Sequence, residues 1–174
     1  MAVMVKMSGE FGAHLWEHLL GNHTEQAAFL FAEFRQTTRT STFVGRELHL
    51  VPPEDFDLQS SSHLAMTDEA LARLIKRAWD LRLAVVEWHS HPQYEGPACF
   101  SPSDRFGLRD TVPYVRWRLR GRPYAAVVIG DASLDALAWL GGEPGPQRVD
   151  GIKVGTSVLK PSGISLARWY GDDI

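Results

Sequence analysis

The sequence lacks the features that define several protein classes. Its single cysteine, Cys99, excludes an internal disulfide. No apolar run is long enough to span a bilayer, and the start, MAVMVK, is too short and poorly ordered for a signal peptide. With 18 Lys and Arg against 21 Asp and Glu, the net charge of -3 does not favour nucleic-acid binding. We therefore expect a cytoplasmic protein that binds neither nucleic acid nor membrane.

Length and composition favour one folded domain. The chain has 174 residues, of which 44% are hydrophobic, and this is enough for a sizeable core. It contains no linker, repeat or low-complexity tract. We predict a single domain over residues 1–174. Within it, Cys99 is interpreted as a small apolar filler, with a reactive or metal-binding thiol as the alternative.

The most informative motif is His89-Ser90-His91-Pro92. The apolar, β-branched run LAVV before it predicts a buried strand, in which two histidines two residues apart share one face. Asp104 can add a carboxylate oxygen from across the next loop. Three protein ligands leave a fourth tetrahedral position for water, as in catalytic zinc sites.

Hydrolysis at such a site needs a further acid that does not bind the metal. Bound zinc lowers the pKa of its water to about 7, and a nearby carboxylate can accept that proton and return it to a leaving amine. Glu25 stands directly before the apolar run AAFLF and could supply this group.

These motifs resemble the JAMM metalloproteases of the MPN-domain family. In that family a glutamate opens an early strand, and H-S-H-P followed by S-x-x-D completes the site. The resemblance covers about residues 25–104 and implies one zinc ion bound by His89, His91 and Asp104. It also implies that Glu25 is the general base and acid and that the Ser101 hydroxyl stabilises the oxyanion. The implied fold is α/β, an MPN/JAMM-type (cytidine-deaminase-like) mixed sheet sandwiched by helices.

The spacer between the two halves of the motif departs from the family. Residues 92–100 form a slightly longer connection than the commonest form, and they include Tyr94, Glu95 and Cys99. The ligand set is intact, and the departure affects only the rim of the site. The longer loop shapes substrate entry or is a tolerated surface insertion.

Other interpretations compete for parts of the site. The segment Ser101-Pro102-Ser103-Asp104 is also typical of a helix start, with serine as N-cap and an acid at the third position. Glu87 shares the strand face of the two histidines and is an alternative ligand or base. The segment 14–18, HLWEH, has the H-x-x-E-H spacing of another zinc motif, although an amphipathic first helix explains it without metal.

The hydrophobic pattern predicts alternating helices and strands. We expect helices over Glu10–Leu20 and Thr67–Arg82, and one from Pro102 that breaks or kinks at Pro113. Strands are predicted at Ala27–Phe34, Phe43–Val51, the segment that leads to His89, Tyr124–Ile129 and Asp135–Leu140, with edge strands at Arg148–Gly155 and Ile164–Tyr170. Alternating elements of this kind indicate an α/β sandwich with a mixed sheet.

The resemblance implies a zinc isopeptidase or peptidase that cleaves after the C-terminal glycine of a ubiquitin-like protein. Such enzymes act on conjugates or precursors and can work beside ubiquitin-activating-like and conjugating-like enzymes. Two alternatives remain: release of an amino acid from a sulfur-carrier protein tail by the same chemistry, and a non-catalytic MPN scaffold. Entry past Tyr94 and Phe100 is expected to favour glycine next to the scissile bond.

A basic cluster follows the motif and interrupts the otherwise balanced charge. Such clusters are usually solvated faces, but this one follows Asp104 closely and could receive an acidic or polar partner. Its members are Arg105, Arg109, Arg116, Arg118, Arg120 and Arg122.

Overall fold

A mixed sheet of nine strands runs through the protein. The computed structural model describes residues 1–92 and 94–171. The strand order is β11-β10-β1-β3-β2-β6-β7-β8-β9, and β4 and β5 pair separately. A 3-10 turn, Pro53–Asp55, precedes β4. In chain order the elements are β1 (Ala2–Met7), α1 (Gly9–Leu20), β2 (Ala27–Gln36), β3 (Thr40–Leu50), β4 (Phe56–Gln59), β5 (Leu64–Met66), α2 (Asp68–Leu81), β6 (Ala84–Ser90), α3 (Pro102–Arg118), β7 (Tyr124–Ile129), β8 (Leu134–Trp139), β9 (Gln147–Arg148), β10 (Gly151–Val154), β11 (Ser157–Leu159) and α4 (Ile164–Tyr170).

The helices cover both faces of the sheet, and β6 contributes to the two cores in alternation. Val86 and Trp88 pack on the face that α1 covers. Val85 packs on the opposite face, with side chains of α2, α3 and α4. Because successive strand residues point to opposite faces, Glu87 and His89 lie on the same side as Val85. The candidate ligands therefore face α3 rather than α1.

The predicted α/β class, with a mixed sheet between helices, is confirmed. The finer MPN/JAMM topology stays a prediction. Elements that agree with their predicted positions to within a few residues are α1, β2, β3, α2, β6, α3, β7 and β8.

The segment Ile164–Tyr170 is a helix, so its predicted assignment to an edge strand is wrong. Its aromatic and β-branched residues favour a strand locally. The helix forms because Asp135, fully buried on β8, accepts hydrogen bonds from the backbone N–H groups of Gly163 and Ser165 at 2.8 and 2.7 Å. A carboxylate from a distant strand thus satisfies the free donors at the helix start.

Pro113 does not break α3, so of the predicted break or kink the break is wrong and the kink stays a prediction. The helix runs without interruption over 17 residues, from Pro102 to Arg118. Pro113 is exposed, while Leu108, Val112 and Val115 on the other side of the helix are buried. Packing of that apolar face offsets the lost backbone hydrogen bond. In the described part of the chain, no helix has both the length and the apolar character needed to cross a membrane.

The ends of the sheet also differ from the prediction. Strand β1 was not predicted, although Val3, Val5 and Met7 alternate as buried residues between β3 and β10. The predicted edge strand Arg148–Gly155 divides into β9 and β10, which lie near opposite ends of the sheet. Val149 and Asp150, which belong to neither strand, separate them.

Replacement of Asp135 by asparagine tests whether this carboxylate holds α4. The amide would present an N–H group to backbone donors, so we expect Asp135→Asn to lower the free energy of unfolding by about 2–3 kcal/mol. Urea unfolding followed by circular dichroism measures the change. Asp131→Asn, an exposed matched control in the preceding turn, should change it by less than about 0.5 kcal/mol. Equal stability of the two variants would contradict the assignment.

Candidate metal centre

Pairing between β2 and β6 brings the upstream acid to the histidine motif. The strands are antiparallel, and Ala27 lies opposite His89. The same register, continued two residues beyond the ladder, sets Glu25 opposite His91. Glu25 and His91, which are 66 positions apart in sequence, are therefore placed together by one strand pair.

Hydrogen bonds hold the main chain on both sides of Glu25. The Ser90 N–H donates to the Gln26 carbonyl at 3.0 Å, and the Gln26 N–H donates to Ser90 Oγ at 2.9 Å. From the β4–β5 side, the Glu25 N–H donates to the Ser60 carbonyl at 2.7 Å. The Gln59 amide donates to the Glu25 carbonyl at 2.9 Å. Sequence reasoning missed this support, since residues 56–66 carry no strong strand signal.

His89, His91 and Asp104 form a group that could hold a metal ion. Their nearest ring nitrogens, both Nε2, are 3.2 Å apart. Asp104 Oδ2 lies 3.5 Å from His89 Nε2 and 3.2 Å from His91 Nε2. Two imidazole nitrogens and one carboxylate oxygen thus converge on one point, and this donor set suits a divalent transition metal.

Asp104 serves as a helix cap at the same time. Its Oδ2 accepts the Ser101 N–H at 2.7 Å, and its own N–H donates to Ser101 Oγ at 3.1 Å, which completes a capping box at the start of α3. The helix-start and ligand interpretations are therefore compatible. Burial would raise the pKa of Asp104, but hydrogen bonds from His89 and His91 outweigh it and hold that pKa well below its usual range.

Glu25 is buried beside the metal group without joining it. The residue is 5% exposed, and its Oε1 lies 3.8 Å from His91 Nε2. Burial raises the pKa of Glu25, and the nearby His89 and His91 only partly oppose this. A carboxylate with a raised pKa beside a candidate metal is suited to accept and return a proton.

Phe100 supports the site rather than lining its approach. It is fully buried, and its ring centroid lies 5.4 Å from that of His89. Its N–H donates to Ser165 Oγ at 2.8 Å, which ties the segment before Ser101 to α4. The expected entry past Tyr94 and Phe100 is therefore wrong for Phe100, because a buried ring cannot contact an incoming chain.

The spacer divides into an exposed part and a buried part. Tyr94 and Glu95 are exposed, whereas Ala98 and Cys99 are buried. Residue 93 lies outside the described residues. Cys99 Sγ accepts a hydrogen bond from Arg168 Nη1 at 3.2 Å and is outside the metal group, so its interpretation as a buried filler agrees with the structure.

Glu87 has a different partner from the other acids. Its Oε2 accepts a hydrogen bond from the Tyr124 hydroxyl, and burial raises the pKa of Glu87. Tyr124 pairs with Val85 in parallel register and so faces the same side. Sequence reasoning missed Tyr124, although a phenol in the apolar strand YAAVVI was a signal. Both residues line a cavity of about 400 Å³, the Glu87 cavity, together with Phe29, Met66, Leu108 and His89.

The alternative motif on α1 does not bring three potential ligands together within the described part of the chain. His14 and Glu17 are exposed, and His18 Nε2 lies 2.9 Å from the Ala27 carbonyl oxygen, with which it can share a hydrogen bond. Among the described residues, neither histidine belongs to a group of three potential ligands. The contact of His18 with the Ala27 carbonyl instead links α1 to the start of β2.

Arginines that follow the site make contacts within the chain. Arg122 Nη1 donates to the carbonyls of Ala78 and Leu83 at 2.8 and 3.2 Å. The guanidinium groups of Arg120 and Arg122 lie 5.0 and 5.5 Å from the ring centroid of Trp79. These contacts join the end of α2 to the turn before β7. Recruitment of an acidic partner by this cluster stays a prediction.

Metal content tests the three ligands. Protein loaded with a divalent transition metal and dialysed should retain about one equivalent, measured by atomic emission. His89→Ala and Asp104→Ala should lose it, because two remaining ligands bind weakly. Ser101→Ala removes the other hydrogen bond of the capping box without removing a ligand and should keep the metal, as should the double variant His14→Ala, His18→Ala. Loss of metal from the double variant alone would contradict our assignment.

Comparison with known proteins supports the fold and no more. No protein-family model matches the chain, and no curated protein matches it. Among solved structures, it is similar to the solution structure of protein DSY2949 from Desulfitobacterium hafniense. The TM-score is 0.53 with 15% sequence identity, over 88% of this chain and 94% of that chain. At this identity the similarity shows a common fold alone.

Proposed function

We propose that this protein is a zinc metallopeptidase of the JAMM type, built on the MPN fold. The observation that carries the proposal is the convergence of His89 Nε2, His91 Nε2 and Asp104 Oδ2, with the buried Glu25 carboxylate 3.8 Å from His91. The motif resemblance gives the order of these residues in sequence. Their arrangement in space agrees with the roles that it implies.

The spacing of the ligand atoms favours zinc. Zinc binds imidazole and carboxylate at about 2.0–2.2 Å, so the edges of a tetrahedral site measure about 3.3–3.6 Å. The three separations among the ligand atoms are 3.2, 3.2 and 3.5 Å. The three ligand atoms would therefore have to move less to bind zinc in tetrahedral geometry than to bind calcium, which takes more ligands at longer distances.

Glu25 and Ser101 have separate roles in the proposed hydrolysis. Zinc, when bound, supplies Lewis acidity that acidifies water and polarises the scissile carbonyl. Glu25 accepts the proton of the attacking water and delivers it to the leaving amine. Ser101 Oγ accepts the Asp104 N–H, so its hydroxyl hydrogen is available to donate to the oxyanion. The capping box thereby holds a ligand and an oxyanion donor in fixed relation.

Glu25→Gln separates catalysis from metal binding. The variant keeps the shape of the side chain but removes the proton acceptor, so we expect kcat to fall by about 10²-fold or more with zinc still bound. Glu87→Gln should lower kcat far less. Kinetics and metal analysis on the same samples check both. If Glu87→Gln lowers kcat more than Glu25→Gln does, Glu87 rather than Glu25 is the general base. A wild-type protein that binds zinc but hydrolyses nothing would favour the scaffold alternative.

We propose as substrate the glycine-ending tail of a ubiquitin-like protein. An extended tail commonly binds by adding a strand to a free sheet edge. In the large sheet, β6 is three strands from β9 and five from β11, so the edges of that sheet are remote from the site. In contrast, Leu64, Ala65 and Met66 of β5 line the Glu87 cavity beside His89. The β4–β5 pair therefore offers the suitable edge.

A fusion protein tests the substrate. We expect the zinc-loaded enzyme to cleave a short C-terminal extension from the ubiquitin-like protein encoded nearest its gene, and to cleave it much more slowly when the terminal glycine is replaced by leucine. The folded body supplies remote binding energy, so the free extension peptide should be a poorer substrate. Mass spectrometry identifies the products, with Glu25→Gln as the inactive control. Rapid cleavage of unrelated unfolded peptides, with the fusion left intact, would show a general peptidase.

A further inference from the structure

The Glu87 cavity adjoins the metal group but extends away from it. His89 and Asp104 belong to its lining, as do Glu87 and the buried Tyr124. At about 3.3 Å per strand residue, Glu87 lies about 6.6 Å along β6 from His89. The roles assigned above to the catalytic residues leave this space, about 400 Å³, without a function.

The cavity combines apolar walls with acidic groups. Its walls include Phe29, Met66 and Leu108, from β2, β5 and α3. The charged side chains that line it away from the metal group are Glu87 and Asp68, both acidic, and Asp68 is exposed at the first residue of α2. No lysine or arginine belongs to its described lining. The cavity therefore favours a cation over an anion.

The hydrogen bond that orients the Glu87 carboxylate is made at one of its two oxygens. The Tyr124 hydroxyl donates to Oε2. A carboxylate has more than one lone-pair site on each oxygen, so it retains capacity to accept further hydrogen bonds. The tyrosine therefore fixes the carboxylate while leaving an acceptor available within the cavity.

We propose that the Glu87 cavity is a specificity subsite that binds a lysine or arginine side chain of the substrate tail, and this rests on the proposed function. The aliphatic stem of such a side chain packs against the apolar walls. Its cationic end donates to Glu87, and charge-assisted hydrogen bonds of this kind are the stronger ones in proteins. The separation of Glu87 from His89 requires a long side chain, which excludes short residues from this contact. Glu87 and Tyr124 thus select the tail, while Glu25 acts on the scissile bond.

Binding of short peptides tests the subsite without requiring turnover. The Glu25→Gln protein, purified with its metal, is titrated by calorimetry with acetylated peptides that end in glycine amide. A single arginine is moved through the positions before the glycine, and matched peptides carry lysine, norleucine, glutamine or glutamate there. We expect the best arginine or lysine peptide to bind about tenfold or more tightly than the norleucine peptide. The glutamate peptide should bind most weakly.

Variants connect this preference to the cavity. Adding Glu87→Gln should reduce the arginine-to-norleucine ratio to about threefold or less, and adding Tyr124→Phe should reduce it partly. Glu69→Gln removes the same charge one residue from Asp68, outside the lining, and should keep the full ratio. Circular dichroism and metal content confirm that each variant is folded. If Glu87→Gln does not fold, the Tyr124→Phe result decides.

The outcomes separate this inference from the proposed function. Equal binding of arginine and norleucine peptides, equal binding of arginine and glutamine peptides, or a ratio that Glu87→Gln leaves unchanged would overturn the subsite. So would the absence of any arginine or lysine peptide with a Kd below about 1 mM. An enzyme that cleaves the ubiquitin-like fusion but shows these results keeps its proposed function. A protein that shows the basic preference yet never hydrolyses the fusion keeps the subsite and loses the peptidase proposal.

Discussion

The antiparallel pairing of β2 with β6 determines where the candidate metal centre forms. With Ala27 opposite His89, the ends of the two strands carry Glu25 and His91 to adjacent positions. A slip of one residue would move every side chain of β6 to the other face of the sheet and point His89 toward α1. Burial specifies the register strongly, because Val86 and Trp88 fill one core and Val85 the other. The hydrophobic cores thus position polar residues that they do not include.

Helix α3 is fixed to this strand pair by the carboxylate that also completes the ligand set. Asp104 Oδ2 accepts the Ser101 N–H and faces both histidines. The oxygen is therefore held before any cation binds, which lowers the entropic cost of assembling the site. The segment before Ser101 is also held in place. The Phe100 N–H donates to Ser165 Oγ on α4, and the Ser165 N–H donates to Asp135. Loosening α4 should therefore disturb Asp104 through these hydrogen bonds.

Local motifs predicted the site better than the elements around it. The motif resemblance named His89, His91, Asp104 and Glu25 together, and strand alternation placed the two histidines of the β6 segment on one face. The assignment of α4 as a strand failed because its start is capped by Asp135, a residue distant in sequence. Tertiary contacts of that kind override local propensity and have no local signature. The β4–β5 pair also escaped prediction, since residues 56–66 carry no strong strand signal and the pair's hydrogen bonds to Glu25 are tertiary contacts.

Three acids lie near the two histidines, and their different hydrogen-bond partners suit them to the separate roles proposed above. Asp104 is fixed by the N–H of its own helix start, so it is suited to a constant role as ligand. Glu87 is fixed by the Tyr124 phenol and directed into the cavity. Within the described residues, no side chain donates a hydrogen bond to the Glu25 carboxylate, and its Oε1 lies 3.8 Å from His91 Nε2. A proton carrier must exchange partners during the reaction, and a carboxylate without a fixed donor can do so at the lowest cost. The environments of the three acids therefore favour the same division of roles as the motif.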